Sequence, residues 1–390
     1  KDQGPEAVLF RAKVLSSPGG SAEAMDVLDR QVAKEPGWYE GWIELALLQH
    51  REKNLPEAVN AFKKAAAISP DTPELWFRIA LLQIERKLPA EALEALGNID
   101  SSPDLLVQAA LRLADAQYFA EAETVLGQAA KNGANPDEVS LFLSVIKQES
   151  AEDPLSGLEP LESIPPSSSL YPAALQQKAR VYLQAKQYDK ALAVAADARK
   201  RFPDSKEIWG LEAYALVKLN KGAEAEKTLK KALDRFPGDE ELLFTLGSVQ
   251  DEAGRKDDAM KTMEGIIAVN PKHAQALNYV GYTLAEKNTD LKRALSLITT
   301  ALELAPDADY IVDSMAWVQY RLGNMEEAWK AITRCISLGG DDPTIWEHYG
   351  DIAKAMGKRE EAIKGYTEAI ARKPANINEV RKKLSDLQKK

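Results

Sequence analysis

The chain has 390 residues, 45% hydrophobic and 28% charged, which is folded-protein composition and excludes disorder over most of its length. With 50 Lys+Arg against 60 Asp+Glu the net charge is −10, and no clustered basic stripe offers a duplex nucleic acid the face it needs. One cysteine excludes a disulfide framework and a Cys-rich zinc site, and no apolar run reaches the roughly 18 residues that a membrane-spanning helix requires.

A length of 390 residues fits two or three domains, or one array of repeats. A chain starting at Lys1 rather than Met reads as a trimmed one, so no compartment follows from its first residues. The strongest pattern is an alanine followed twelve residues later by a proline: Ala24/Pro36, Ala58/Pro70, Ala191/Pro203, Ala225/Pro237, Ala259/Pro271, Ala294/Pro306 and Ala362/Pro374. Ala92 and Ala328 keep the phase without the proline, and the alanines recur every 34 or 35 residues. Within the period beginning at Tyr39, Trp42, Leu45, Ala46 and Gln49 fall at helical spacing. Leu55-Pro56-Glu57 then breaks the pattern, and Ala58, Phe62 and Ala65 form a second helical face. Each period therefore predicts two helices and a turn. The small residue has a steric reason, since two helices crossing closely leave no room for extra methylenes. Trp42, Trp76, Trp209 and Trp346, at another phase, fill the gaps between units.

In chain order, units are predicted to begin near Pro5, Tyr39, Pro73 and Pro103, with a degenerate one near Asp137. Further units begin near Pro172, Lys206, Glu240, Ala274, Asp309 and Pro343. Residues 151–171 carry many helix breakers, among them Pro154, Pro160, Pro165 and Pro166. Two readings stay open for them. Leu155, Leu158, Leu161 and Ile164 keep helix-like spacing and favour a distorted repeat, whereas the prolines and serines suit a hinge between arrays at 1–150 and 172–374. Residues 375–390 predict a polar terminal helix that caps the stack through Val380, Leu384 and Leu387.

The pattern resembles the tetratricopeptide repeat family over nearly the whole chain, for example at Trp346, Tyr349, Gly350, Ala362, Tyr366, Ala369 and Pro374. The resemblance implies an all-α, right-handed superhelical solenoid of about eleven helix pairs. It also implies protein or peptide partners held on a concave face lined by the first helix of each repeat. A narrower run, Ala276–Ala285 with Ala305-Pro306-Asp307 and Asp313–Val318, is similar to bacterial cell-envelope repeat lipoproteins that act as scaffolds or protease adaptors. That likeness implies a bacterial periplasmic or outer-membrane-anchored setting.

Enzyme chemistry has no motif here. The three histidines, His50, His273 and His348, lie in separate units without metal-ligand spacing, and His50 and His348 read as exposed polar residues. Cys335 holds a small-residue core phase and reads as buried and inert; Gly19-Gly20 and Gly339-Gly340 read as turns. No metal, cofactor or catalytic residue is expected.

Two inner phases carried over from the family give the candidate face. One runs Ile43, Phe77, Gln176, Gly210, Phe244, Asn278, Asp313, Glu347; the other runs Leu47, Leu81, Arg180, Tyr214, Ser248, Tyr282, Trp317, Asp351. Helical spacing independently groups Tyr310, Asp313, Trp317, Tyr320 and Arg321, with Asn278 and Tyr282 in matching phases of the preceding unit. Tyr214, Phe244, Asn278, Tyr282, Tyr310, Asp313, Trp317, Tyr320 and Arg321 are thus the predicted partner-binding residues, although Trp317 and Tyr320 also fit inter-repeat core. Ile43, Leu47, Phe77 and Leu81 form a second, apolar candidate face suited to an amphipathic helix or a second copy of the chain. The set with which some family members clamp a C-terminal carboxylate is incomplete, because Asn278 lacks its lysine partner. A scaffold or adaptor is the resulting expectation. A self-associating module and a regulatory region of a larger enzyme are the alternatives.

Overall fold

A computed structural model describes residues 4–16, 20–99 and 101–389, which hold 23 α-helices and one short 3-10 turn and no strand. Gly19, half of one predicted turn, lies outside the described residues. The helices come as successive pairs: α1 (Pro5–Leu15) with α2 (Ser21–Lys34), α3 (Tyr39–Arg51) with α4 (Leu55–Ile68), α5 (Pro73–Glu85) with α6 (Pro89–Leu96), and α7 (Pro103–Asp115) with α8 (Phe119–Lys131). Then α9 (Pro136–Ser150) meets the 3-10 turn Pro154–Gly157 and α10 (Leu158–Leu161). The series continues with α11 (Tyr171–Gln184) and α12 (Tyr188–Arg201), α13 (Lys206–Lys218) and α14 (Gly222–Arg235), and α15 (Glu240–Glu252) and α16 (Lys256–Val269). It closes with α17 (Ala274–Glu286) and α18 (Leu291–Leu304), α19 (Asp309–Leu322) and α20 (Met325–Ser337), α21 (Pro343–Ala355) and α22 (Arg359–Ala371), and the single α23 (Ile377–Gln388). The fold is the expected all-α repeat of helix pairs.

The phase alanines behave as their spacing required. Ala24, Ala58, Ala92, Ala122, Ala191, Ala225, Ala259, Ala294, Ala328 and Ala362 are all fully buried. The proline that ends a unit has a second use. Its carbonyl accepts the indole N–H of the next unit's tryptophan, Trp42 to Pro36 and Trp209 to Pro203, both at 2.9 Å.

The turn inside nine of the pairs is equally regular. A residue adopts positive φ at Lys53, Lys87, Gln117, Lys186, Asn220, Gly254, Asn288, Gly323 and Gly357, with Asp290 doing so as well just before α18. The amide of the following residue donates back to a carbonyl five residues earlier, as in Asn54 to Gln49 and Lys358 to Ala353, satisfying a helix-end acceptor. Only three of these nine positions are glycine, so the turn was invisible to a search for glycine punctuation.

The chain divides into two compact units, 1–211 and 212–390, with the boundary inside α13. In the first unit, residues 151–171 pack against neighbouring helices. Leu161 and Ile164 are buried with Ala174, against Leu141 and Tyr171. Gly157 is where the turn meets α9: a Cβ there would lie 2.7 Å from the Ser144 carbonyl oxygen and 3.2 Å from Val181 Cγ2. In the second unit, α23 buries Val380 fully and lays Leu384 and Leu387 on the core formed by α19 to α22.

Candidate functional site

Three successive first helices of the second unit, α17, α19 and α21, line two adjoining cavities to which five of the nine predicted residues contribute, Asn278, Tyr282, Tyr310, Asp313 and Trp317. The cavities share Tyr282 and Thr344. One, of about 330 Å³, is lined by Tyr282, Glu286, Trp317, Glu347, His348 and Asp351, with Asn376 and Lys383 closing it from the C-terminal side. The other, of about 470 Å³, is lined by Asn278, Tyr282, Asp309, Tyr310, Asp313 and Asp342, among others.

Behind both lies a buried ion pair. His348 Nδ1 sits 2.9 and 3.0 Å from the two Asp313 carboxylate oxygens, and both residues are less than a tenth exposed. Burial alone would push the His348 imidazole down. The adjacent Asp313 carboxylate, with lesser help from Glu286 and Asp351, reverses this and holds it above the ordinary histidine value. Trp317 stacks on that ring at 4.0 Å, Tyr320 stacks on Trp317 at 5.0 Å, and Tyr282 stands 6.2 Å from His348. The expectation of an exposed His348 is therefore wrong. Its helix position faces α19, and the carboxylate waiting there makes burial tolerable. His50, by contrast, stays partly exposed beside Glu85.

Lys383, from α23, reaches into the smaller cavity and places Nζ 2.6 Å from Glu347 Oε1 and 2.6 Å from Asp351 Oδ2. Asn376 donates to Glu347 at 3.0 Å and the Tyr366 hydroxyl donates to Asp351 at 2.7 Å. Burial raises the Glu347 carboxyl, but Lys383 and Asn376 outweigh it and keep the acid below its usual range. Burial and the surrounding carboxylates of Glu286, Asp313, Glu347 and Asp342 push the Tyr282 phenol far above its usual range, so the field here is negative.

The remaining predicted residues divide by role. Tyr310 is 44% exposed and lines the larger cavity, beside the half-buried Asn278. Arg321 is engaged with α17, donating from Nε to the Ala285 carbonyl at 3.1 Å and from NH2 to Glu286 at 3.3 Å. It thereby adds a donor at the C-terminal end of α17, where the Glu286 carbonyl lies beyond the intrahelical bonds and the Ala285 carbonyl already accepts from Asn288. Tyr320 packs beside Trp317 against core, Phe244 stacks on His273, and Tyr214 is exposed on α13 with Lys218 over its ring. In the first unit, Leu81 lines an apolar cavity of about 370 Å³ with Phe62, Leu82 and Ile84. Leu47 is exposed, while Ile43 and Phe77 are half-buried on the core. Cys335 is fully buried, with its thiol pushed up to about 12 by burial and by Asp313 and Asp309, and is inert.

His348 and Lys383, together with the cavity-lining Glu286, Asp309 and Asp342, are site residues that sequence reasoning missed. Lys383 had a faint signal in being the cation of a terminal helix one period beyond Glu347 and Asp351, both of which lie on the predicted inner phases. His348 had none, because the same phase of the preceding unit is Ser314.

Residues 177–240, 216–278 and 343–376 match the tetratricopeptide repeat family. The chain is 31% identical over 172 residues to the TPR repeat-containing protein PA4667 of Pseudomonas aeruginosa, covering 44% of this chain and 29% of that protein. It is 22% identical over 147 residues to human tetratricopeptide repeat protein 7B, covering 36% of this chain and 16% of that one. It thus spans less than a third of the length of these curated relatives. Among solved structures it is similar in fold to a chain of the APC/C hetero-tetramer Cut9–Hcn1, with a TM-score of 0.53 and 15% identity over 98% of this chain and 90% of that one.

Proposed function

We propose, from the premise that this chain is a tetratricopeptide-repeat protein, that it is a non-enzymatic scaffold or adaptor whose second unit holds an extended segment of a partner protein. The observation that carries this reading is the pair of adjoining cavities, which runs across three successive first helices and is lined by Asn278, Tyr282, Tyr310 and Trp317. Aromatic anchors supply contact area at low entropic cost, and the Asn278 amide can pair with both the N–H and C=O of an extended backbone.

Affinity capture from extracts of the source organism tests it with variants chosen to keep the fold. Asn278→Ala with Tyr310→Ala is expected to lose a partner that wild type and Leu47→Ala both recover, all three having the same helical circular dichroism. Equal recovery by all three would remove the second unit as the docking face. The similarity of residues 276–285, 305–307 and 313–318 to bacterial envelope proteins supports an envelope setting. On that reading the full-length gene product fractionates with the envelope, and recovery solely in the cytosolic fraction would overturn the placement.

A further inference from the structure

We infer that the segment held by the second unit is cationic, and that an arginine side chain of the partner enters the paired cavities from the Glu286 and Asp342 side. This deepens the docking reading above and rests on it. Six carboxylates line the two cavities, those of Glu286, Asp309, Asp313, Asp342, Glu347 and Asp351. Asp313 is matched by His348, and Glu347 and Asp351 share the single ammonium of Lys383. The carboxylates of Glu286, Asp309 and Asp342 are in none of the ion pairs seen among the described residues; Arg321 reaches only the Glu286 backbone carbonyl, and Asp309 and Asp342 accept only the amides of Tyr310 and Thr344.

Two orphaned polar atoms complete the description of the missing ligand. Asn278 Oδ1 is buried without a donor, in a cavity whose other polar walls are mostly acceptors. Trp317, more than nine-tenths buried, has an indole N–H without an acceptor and lines the smaller cavity. A guanidinium supplies several donors in one plane, and the peptide carbonyls that accompany it supply acceptors. The Tyr282 ring adds cation–π attraction, for which arginine is the usual partner. Lys383 shows that a cation is already stable in this setting, held by two carboxylates with the Tyr366 ring 5.9 Å away. A peptide's terminal carboxylate would meet like charge over most of this surface.

Fluorescence anisotropy with a labelled peptide alternating arginine and alanine tests this on the full chain, beside the same peptide carrying citrulline in place of arginine. Wild type is expected to bind the arginine peptide and to bind the citrulline peptide about tenfold more weakly or worse, a gap of about 1.4 kcal/mol. Glu286→Gln with Asp342→Asn is expected to weaken the arginine peptide by a similar factor. Glu224→Gln with Glu303→Gln, which removes the same charge from exposed sites of the same unit away from these cavities, should leave it within about twofold. Equal weakening by both pairs would reduce the effect to general acidity and overturn the proposal, as would equal affinity for citrulline or no binding by wild type. Spermine competing as well as the peptide would make this a small-polyamine site and overturn the partner assignment. If the arginine peptide fails while the Asn278/Tyr310 variant still loses its captured partner, the cationic reading falls and the docking reading stands; failure of both removes both.

Discussion

Asp313→Ala is expected to cost the second unit about 3–5 kcal/mol below about pH 6, because it strands a buried charge, and to invert the sign of that unit's histidine-linked pH dependence. In the wild type, the folded-state value of His348 is raised above that of an unfolded histidine. Its contribution to stability is therefore fully present below the unfolded value of about 6.5 and is lost as pH rises through the folded value. Without Asp313, burial becomes the dominant influence and pushes the imidazole below the unfolded value. The neutral ring is then favoured, and stability is lost as pH falls. The other groups facing this ring are Tyr282 and Glu286 on α17, Glu347 and Asp351 on α21, and Lys383 on α23. They are common to both proteins and cancel in the difference. Denaturant melts from about pH 5.5 to about pH 9, with hydrogen exchange localised to α19 and α21, read the effect. A wild-type advantage that shrinks steadily with rising pH supports the pair as drawn. Parallel curves would mean that His348 stays neutral throughout.

The second large effect concerns two glycines that accept the same methyl group with opposite results. In α22, Gly365 lies against α21, so a Cβ would stand 2.6 Å from the Gly350 nitrogen, 2.8 Å from the Gly350 Cα and 2.9 Å from Tyr349 Cδ1. Two of those atoms are backbone and cannot rotate away, so relief requires the helices to part. Overpacking costs about 1–3 kcal/mol, occasionally more, and this contact belongs at the upper end. Gly265, on the exposed side of α16 in the same unit, has nothing within 4 Å of such a Cβ. There the substitution collects only the helix propensity difference, a gain of about 0.8–1 kcal/mol. Gly365→Ala is thus expected to lower the melting temperature of the second unit and to speed exchange in α21 and α22, while Gly265→Ala raises it. Equal shifts in either direction would contradict the close crossing of α21 and α22.

These two experiments also mark where different kinds of information reside. The glycine pair belongs to a repeat whose phase the chain announces: a small residue at the crossing, an indole above it, a proline at the end. Each of these is a local steric requirement repeated in every period, so one chain supplies many independent readings of the same rule. All eleven predicted units begin within a residue or so of an observed first helix. The left-handed turn residue carries no glycine signature because lysine, glutamine and asparagine fill it twice as often as glycine does. The geometry there is imposed by the two helices it joins.

The candidate site was legible as a set of phases and not as a set of roles. Helical periodicity places Asn278, Tyr282, Asp313 and Trp317 on one face because a helix face depends only on residue spacing. It does not reveal that Arg321 ties down the end of α17, or that Asp313 turns inward to meet a histidine 35 residues later. By itself, then, the amino-acid order determined the repeat and the helix pairs, both of which follow from periodic side-chain size, whereas the candidate face came from the resemblance to the repeat family. Only the tertiary structure decided which polar groups on that surface satisfy one another and which are left over. The stacking of successive helices sets distances between charges many residues apart, and a carboxylate's availability depends on whether a cation has been brought within reach of it.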